Sequence, residues 1–249
     1  MADPMTERLY LQDAYCFQHD AVITAVAPDA LTLDRSCMYP GGGGQPPDSG
    51  TLIMPAGSSL PITTVRRDEA GELWHHFEVA QRDDMLRDGI HVGAPCSLQL
   101  DAERRLTLMR FHTALHVFNT VMLRGFDGWI TGVRMDPVRS HIDFRVNYTP
   151  EMVRRIEADV NEVLARQLGV GSYTISAEEF QQRPDLLRTL EAQPPIEDGR
   201  VRVVEIAGFE AQACGGTHVR DTGDVGRIRI VKVDNKGKQN RRFYIELVE

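Results

Sequence analysis

A chain of 249 residues can hold one large domain or two small ones, each with a proper core. Its hydrophobic fraction of 42% and charged fraction of 26% are those of a soluble globular protein, and the net charge of −8 argues against bulk attraction to nucleic acid. Four cysteines without a repeated short spacing exclude a disulfide framework and fit a reducing cytosol. The N-terminal MADPMTERLYLQD has no apolar signal core, and no run approaches 18 apolar residues. A cytoplasmic protein without a membrane partner is expected.

In chain order, residues 21–26, 31–33, 51–54, 62–65, 73–79 and 96–100 are β-rich runs between Pro, Gly, Asp and Ser clusters. Their spacing predicts an all-β barrel or sandwich over residues 1–100. His75 and His76 are neighbours in one run, so they point to opposite faces and read as structural or surface groups. Character changes at Asp101. ERRLTLMRFHTALHVFNTVML lacks Gly and Pro, and Leu108, Phe111, Leu115, Phe118 and Met122 form a stripe at helical spacing. Strands follow at 129–135 and 141–146. A second helix opens on Thr149 as N-cap and Pro150 at its first position, and runs to about residue 168. A strand at 173–176, a helical patch at 184–191 and strands at 202–206, 227–233 and 243–248 complete the chain. Strands mixed with a few helices, without βαβ alternation, predict an α+β domain over residues 101–249.

Two pieces carry metal chemistry. His112 and His116 stand one helical turn apart on one face, suited to joint presentation to one ion. Cys214-Gly215-Gly216-Thr217-His218 reads as a tight loop that folds its thiol and imidazole toward one point. One cysteine and three histidines make an acceptable Zn2+ set. Four protein ligands are the pattern of a structural site, whereas three leave room for water, and the spacing leaves both open. No glutamate follows His112, which disfavours an HExxH protease.

From 225 to 245 there are seven cations against the single acid Asp234. Lys238, Arg241 and Arg242 fall in a hairpin tip able to reach phosphates; the plain alternative is a solvated charged loop. Arg104, Arg105 and Arg110 either extend that patch or cover the core with their stems. The run Gly41–Gly44, closed by Gln45, Pro46 and Pro47, is too stiff for a linker. It also lacks the Lys-Ser/Thr and the following helix of a P-loop.

YPGGGGQPPDSG, RRLTLMRFHTALH, CGGTHV and GKQNRRFYIEL together resemble the AlaX family, free-standing relatives of the editing domain of alanyl-tRNA synthetase. The resemblance covers nearly the whole chain and fits the medium-sized members. It implies an N-terminal β-barrel carrying the glycine motif, then an α+β editing domain with a mainly antiparallel sheet. It implies a zinc-dependent deacylase of mischarged tRNA(Ala), chiefly of the seryl ester and sometimes of the glycyl one, serving translation fidelity with no ATP. His112, His116, Cys214 and His218 would hold Zn2+. Thr131 would meet the serine hydroxyl, although Gly132 replaces the glutamine common after that threonine in the synthetases. Gly42, Gly43 and Gly44 would form a bare backbone ledge for the tRNA 3′ end, with Gln45 as its one polar side chain. The alternative is an RNA- or protein-binding module with a structural zinc and no catalysis.

Overall fold

The computed structural model describes residues 5–81, 89–188, 194, 196–197, 199–237 and 239–248. The chain divides into two compact units, residues 1–42 with 46–105, and residues 43–45 with 106–249.

The first unit holds β1 (Glu7–Arg8), a short helix α1 (Leu9–Gln12), β2 (Gln18–Val26), β3 (Ala30–Leu33) and β4 (Arg35–Ser36). It continues with β5 (Gly50–Ile53), β6 (Ser59–Ile62), β7 (Thr64–Arg67), β8 (Leu73–His76) and β9 (Pro95–Leu100). Seven strands form one antiparallel sheet in the order β6-β5-β9-β2-β3-β8-β7. The strand β2 serves both halves: Gln18 to Val22 pair with β9, and Ile23 to Val26 pair with β3 across a register shift. The expected barrel is not closed by a strand pair among the described residues, because β6 and β7 are the two edges of this sheet. Those edges are consecutive in sequence, separated only by Thr63, whose N–H donates to His76 O at 2.8 Å. The run 62–65, expected as one strand, breaks there.

Alternation puts Cys96, Leu98 and Leu100 of β9 inside with Ile23, Leu31, Leu33, Leu52 and Leu73. His75 joins them, fully buried, while His76 faces outward to Asp29. The His75 ring is held by Leu31 O at 3.3 Å and Ser36 Oγ at 2.8 Å. A carbonyl only accepts, so Nδ1 carries the proton and Nε2 accepts from the serine. Another buried polar group is ionic. Arg105 is 0% exposed. Its guanidinium meets both oxygens of Asp48 and donates to Ala14 O at 2.8 Å and Cys37 O at 2.6 Å. Asp48 also accepts from Tyr39 N at 2.6 Å. Arg105 is therefore a core residue, not part of a surface patch.

The second unit contains most of α2 (Ala102–Phe126), then β10 (Trp129–Arg134), β11 (Ser140–Arg145), α3 (Pro150–Leu164) and β12 (Val170–Ser176). After α4 (Ala177–Gln181) come β13 (Arg200–Ile206), β14 (Glu210–Ala213), β15 (Arg227–Asn235) and β16 (Asn240–Val248). Two antiparallel sheets result, β10-β11-β16-β15 and β12-β13-β14. On α2, Phe118 packs on Phe144 and Phe243, each with ring centroids 5.6 Å away. Helix α3 is capped by Thr149, whose hydroxyl accepts from Met152 N at 3.2 Å. It covers the outer edge of β15: Asn161 exchanges two hydrogen bonds with Ile228, and Glu157 accepts from Ile230 N at 2.6 Å. An edge strand so covered offers fewer unpaired groups to another chain.

Helix α3 stops at Leu164, four residues short of expectation. Thr222 takes over there, donating to Leu164 O at 3.1 Å and accepting from Leu168 N at 2.9 Å. The patch expected at 184–191 is a 3-10 turn at Pro184–Leu186, and residues 189–191 lie outside the described residues. No helix among the described residues is long and apolar enough to cross a membrane.

Removing one partner of a buried ion pair leaves the other charge uncompensated, at about 3–5 kcal/mol. Arg105→Ala is expected to lower unfolding free energy in urea by that amount. Burial holds the His75 imidazole down at about 4, against 6.5 for a free ring. The unfolded chain therefore binds this proton between those values while the folded chain does not, so stability is complete above the upper value. It falls as pH drops toward 4, by roughly 3 kcal/mol in all. The loss is read as the difference between wild type and His75→Gln in urea midpoints across that window.

Candidate metal centre

Helix α2 and strand β14 supply the site by their different periods. His112, Thr113, His116 and Thr120 share one helical face at steps of three and four. Glu210, Gln212 and Cys214 share one side of β14 and its continuation at steps of two. His218 follows in the CGGTH loop, which Arg202 clamps by donating to Cys214 O and Gly216 O, both at 2.9 Å.

The four expected ligands come together. Their ligand atoms lie within 4.8 Å of one another, and the three histidines are only 4–6% exposed. Cys214 Sγ stands 3.5 Å from His112 Nε2 and 3.4 Å from His218 Nε2. A tetrahedral zinc with bonds of about 2.3 Å to sulfur and 2.0–2.1 Å to nitrogen sets S···N edges of about 3.6 Å. The donor set fits such an ion by chemistry and by size.

Each imidazole is held from behind. His112 Nδ1 donates to Gln45 Oε1 at 2.8 Å, and His116 Nδ1 to Glu210 Oε1 at 2.9 Å. His218 Nδ1 meets Thr113 Oγ1 at 3.1 Å. The other Glu210 oxygen accepts from Thr120 at 2.9 Å. Gln45, 2% exposed, is fixed in turn: its amide donates to Thr217 Oγ1 at 2.8 Å, and its oxygen also accepts from Thr217 N at 3.1 Å. With the outer nitrogens so engaged, the Nε2 lone pairs converge, the arrangement that fixes tautomer and raises ligand basicity at metal sites.

Electrostatics follow the same geometry. Burial alone would raise the Cys214 thiol, but the facing His112 and His116 pull it well below its ordinary value. Burial likewise opposes charge on His116, yet Cys214 and Glu210 carry it up to about 9. Burial holds His112 down and, with His112 and His116 beside it, holds His218 well down. Gly216 makes the packing possible, since a Cβ there would overlap the His112 ring.

Residues 201–244 match the threonyl and alanyl tRNA synthetase second additional domain. An alanyl-tRNA editing protein AlaX-M from Saccharolobus solfataricus is 32% identical over 96% of this chain and 98% of its own length. The AlaX-M protein from Methanosarcina barkeri is 34% identical over 98% of this chain and 100% of its own. The chain belongs to the AlaX-M family of alanyl-tRNA editing proteins. It also resembles a segment of a longer enzyme, the alanine–tRNA ligase of Korarchaeum cryptofilum, at 35% identity over 91% of this chain and 24% of the ligase.

Thr131 lies on β10, where its hydroxyl donates to Asn240 Oδ1 at 2.9 Å. Gly42, Gly43 and Gly44 all have positive φ, at 133°, 55° and 84°. A Cβ on Gly44 would strike Val133, whereas one on Gly43 would meet open space. Arg242 is committed to Asp143 by two bonds of 2.8 Å, and Arg241 donates to Asn235 Oδ1 and Gly237 O at 2.9 Å. Lys238 lies outside the described residues. Arg229 pairs with Glu246 and Lys232 with Asp234, so among the described residues three cations of this segment are offset. Arg110 spends its guanidinium on Val225 O at 2.9 and 3.1 Å.

Sequence reasoning missed Glu210, Gln212, Thr113 and Thr120. The signal for the first two was the alternation Glu-Ala-Gln-Ala-Cys leading into the loop. Gln212 Nε2 stands 2.6 Å from His116 Nε2, and its Oε1 is buried without a partner.

Loss of an outer hydrogen-bond partner at a metal site costs about ten- to a hundredfold in metal affinity. Glu210→Gln is expected to weaken zinc binding by that factor, measured by competition with a chromophoric chelator, and Gly216→Ala to weaken it further.

Proposed function

We propose that this chain is a trans-editing hydrolase that removes the amino acid from mischarged tRNA(Ala). The seryl ester is its chief substrate and the glycyl ester its second, and it acts in the cytoplasm without ATP. The observation that carries this reading is the converging donor set His112, His116, Cys214 and His218, in a chain related over nearly its whole length to alanyl-tRNA editing proteins. We assign Zn2+ to these four residues; when bound it supplies a Lewis acid beside the ester.

The protein's own residues do the rest. Gln45 and Glu210 hold His112 and His116 with Nδ1 protonated, and the Thr113 hydroxyl anchors the His218 ring. Gln212, with a buried oxygen open beside His116, offers an acceptor to the substrate's ammonium group. Thr131 discriminates. Serine differs from alanine by one hydroxyl, and a site that hydrogen-bonds it rejects the analogue lacking it far better than an apolar pocket can. The Thr131 hydroxyl then exchanges Asn240 for the substrate.

The tRNA 3′ end would pass the bare backbone of Gly42, Gly43 and Gly44. Phosphates would meet Lys238 and Arg241, and Arg242 only in competition with Asp143. Each phosphate contact contributes about one to the slope of log affinity against log salt. In the same proposal the units correspond to a domain boundary near residue 100. The first corresponds to the expected N-terminal barrel, with its sheet open between the edges β6 and β7.

Four protein ligands are also the pattern of a structural metal site, which favours one second reading: a folding zinc in an RNA-binding module. A single assay separates them. Zinc-loaded protein is expected to deacylate Ser-tRNA(Ala) and spare Ala-tRNA(Ala), with activity lost to chelator and restored by Zn2+. Intact ester on both tRNAs contradicts the editing reading. His116→Ala should remain folded and inactive; global unfolding of that variant supports the structural one.

A further inference from the structure

The first unit contains a second group of metal-binding side chains. Cys16 follows α1, His19 lies near the start of β2, and Cys37 directly follows β4. Each offers one ligand atom, and these atoms lie within 4.8 Å of one another. The decisive detail is the His19 ring. Its Nε2 stands 3.1 Å from Arg35 O. A carbonyl oxygen only accepts, so Nε2 carries the proton and Nδ1 carries the lone pair. That Nδ1 is buried and has no hydrogen-bond partner. Buried acceptors are rarely left open in native proteins, and one that is open calls for a water or an ion.

The two thiols complete a soft donor set. Cys37 is 0% exposed, and Cys16 is half-buried beside it. Desolvation, with Cys16 adjacent, keeps the Cys37 thiol protonated through the physiological range. A coordinated cation reverses that, because a ligating thiol is deprotonated outright. Two thiolates also neutralise a divalent ion, which suits a site with one fully buried sulfur.

We propose that Cys16 Sγ, His19 Nδ1 and Cys37 Sγ form a second metal site, specific for a soft d10 cation of the Zn2+ type. A set of two sulfurs and one nitrogen disfavours Mg2+ and Ca2+, which take oxygen ligands. Three protein ligands leave one coordination position, on the side of the half-buried Cys16. Binding releases one proton from each thiol and cross-links the start of β2 to the segment after β4. The His112 cluster plays no part in it, so the two sites load independently.

The test is metal stoichiometry on fully reduced protein, loaded with Zn2+ and passed into metal-free buffer. Wild type is expected to hold two equivalents by elemental analysis, and Cys16→Ser and His19→Gln one each. With Co2+ as probe, Cys214→Ser protein should retain intense near-ultraviolet thiolate-to-metal absorption, which Cys16→Ser then abolishes in the double variant. The Co2+ spectrum needs no activity and reports directly on thiolate ligation. A wild-type stoichiometry of one that His116→Ala removes and both Cys16→Ser and His19→Gln leave intact overturns the proposal. So does fully reduced protein with Cys16 and Cys37 both as free thiols that takes up no metal there.

Discussion

Everything at the centre depends on three hydrogen bonds that are not to the metal position. Gln45, Glu210 and Thr113 hold the outer nitrogens of His112, His116 and His218. A neutral imidazole has one proton and one lone pair. Nδ1 donation to the Gln45 and Glu210 oxygens therefore leaves the Nε2 lone pairs of His112 and His116 facing inward, while Thr113 anchors the His218 ring. Without those partners the four ligands would still be near one another, but each ring could rotate or switch tautomer. The partners are buried, which makes their hydrogen bonds costly to break and the ring orientations correspondingly rigid.

The fold serves that constraint. A helix presents His112 and His116 one turn apart, and the same face carries Thr113 and Thr120. A strand presents Glu210, Gln212 and Cys214 at alternate positions, so one side provides a positioning carboxylate, an amide and a ligand in succession. The loop after it must bring His218 round within a few residues while a histidine ring lies against its backbone. Only glycine at 216 allows that approach. The Gln45 that closes the glycine run then bridges His112 and Thr217, joining a sequence motif that looked like a surface ledge to the centre itself.

The sequence made the ligands legible because their spacing is local: HxxxH on a strong helix and CGGTH in a turn. It made most strands legible too, through alternation and turn residues. What it hid depends on partners distant in sequence. In sequence Arg105 can either extend a basic patch or lay its stem over the core; only Asp48 and Cys37 O, distant in the chain, bury its guanidinium as well. The basic segment reads as seven cations against one acid, but the acids that offset Arg229 and Arg242 lie outside it. Helix α3 has no glycine or proline before Gly169 to announce its end; Thr222 ends it from across the unit. Strand β14 has no β-branched residue, so only its polar alternation could have revealed it.

The most direct measurement is anomalous diffraction at the zinc edge from crystals of the zinc-loaded protein. The expected result is a peak bonded to Cys214 Sγ and to the Nε2 atoms of His112, His116 and His218, with Gln45, Glu210 and Thr113 still on the Nδ1 side. No peak at that centre, or ligation through Nδ1 with those three contacts broken, would contradict it.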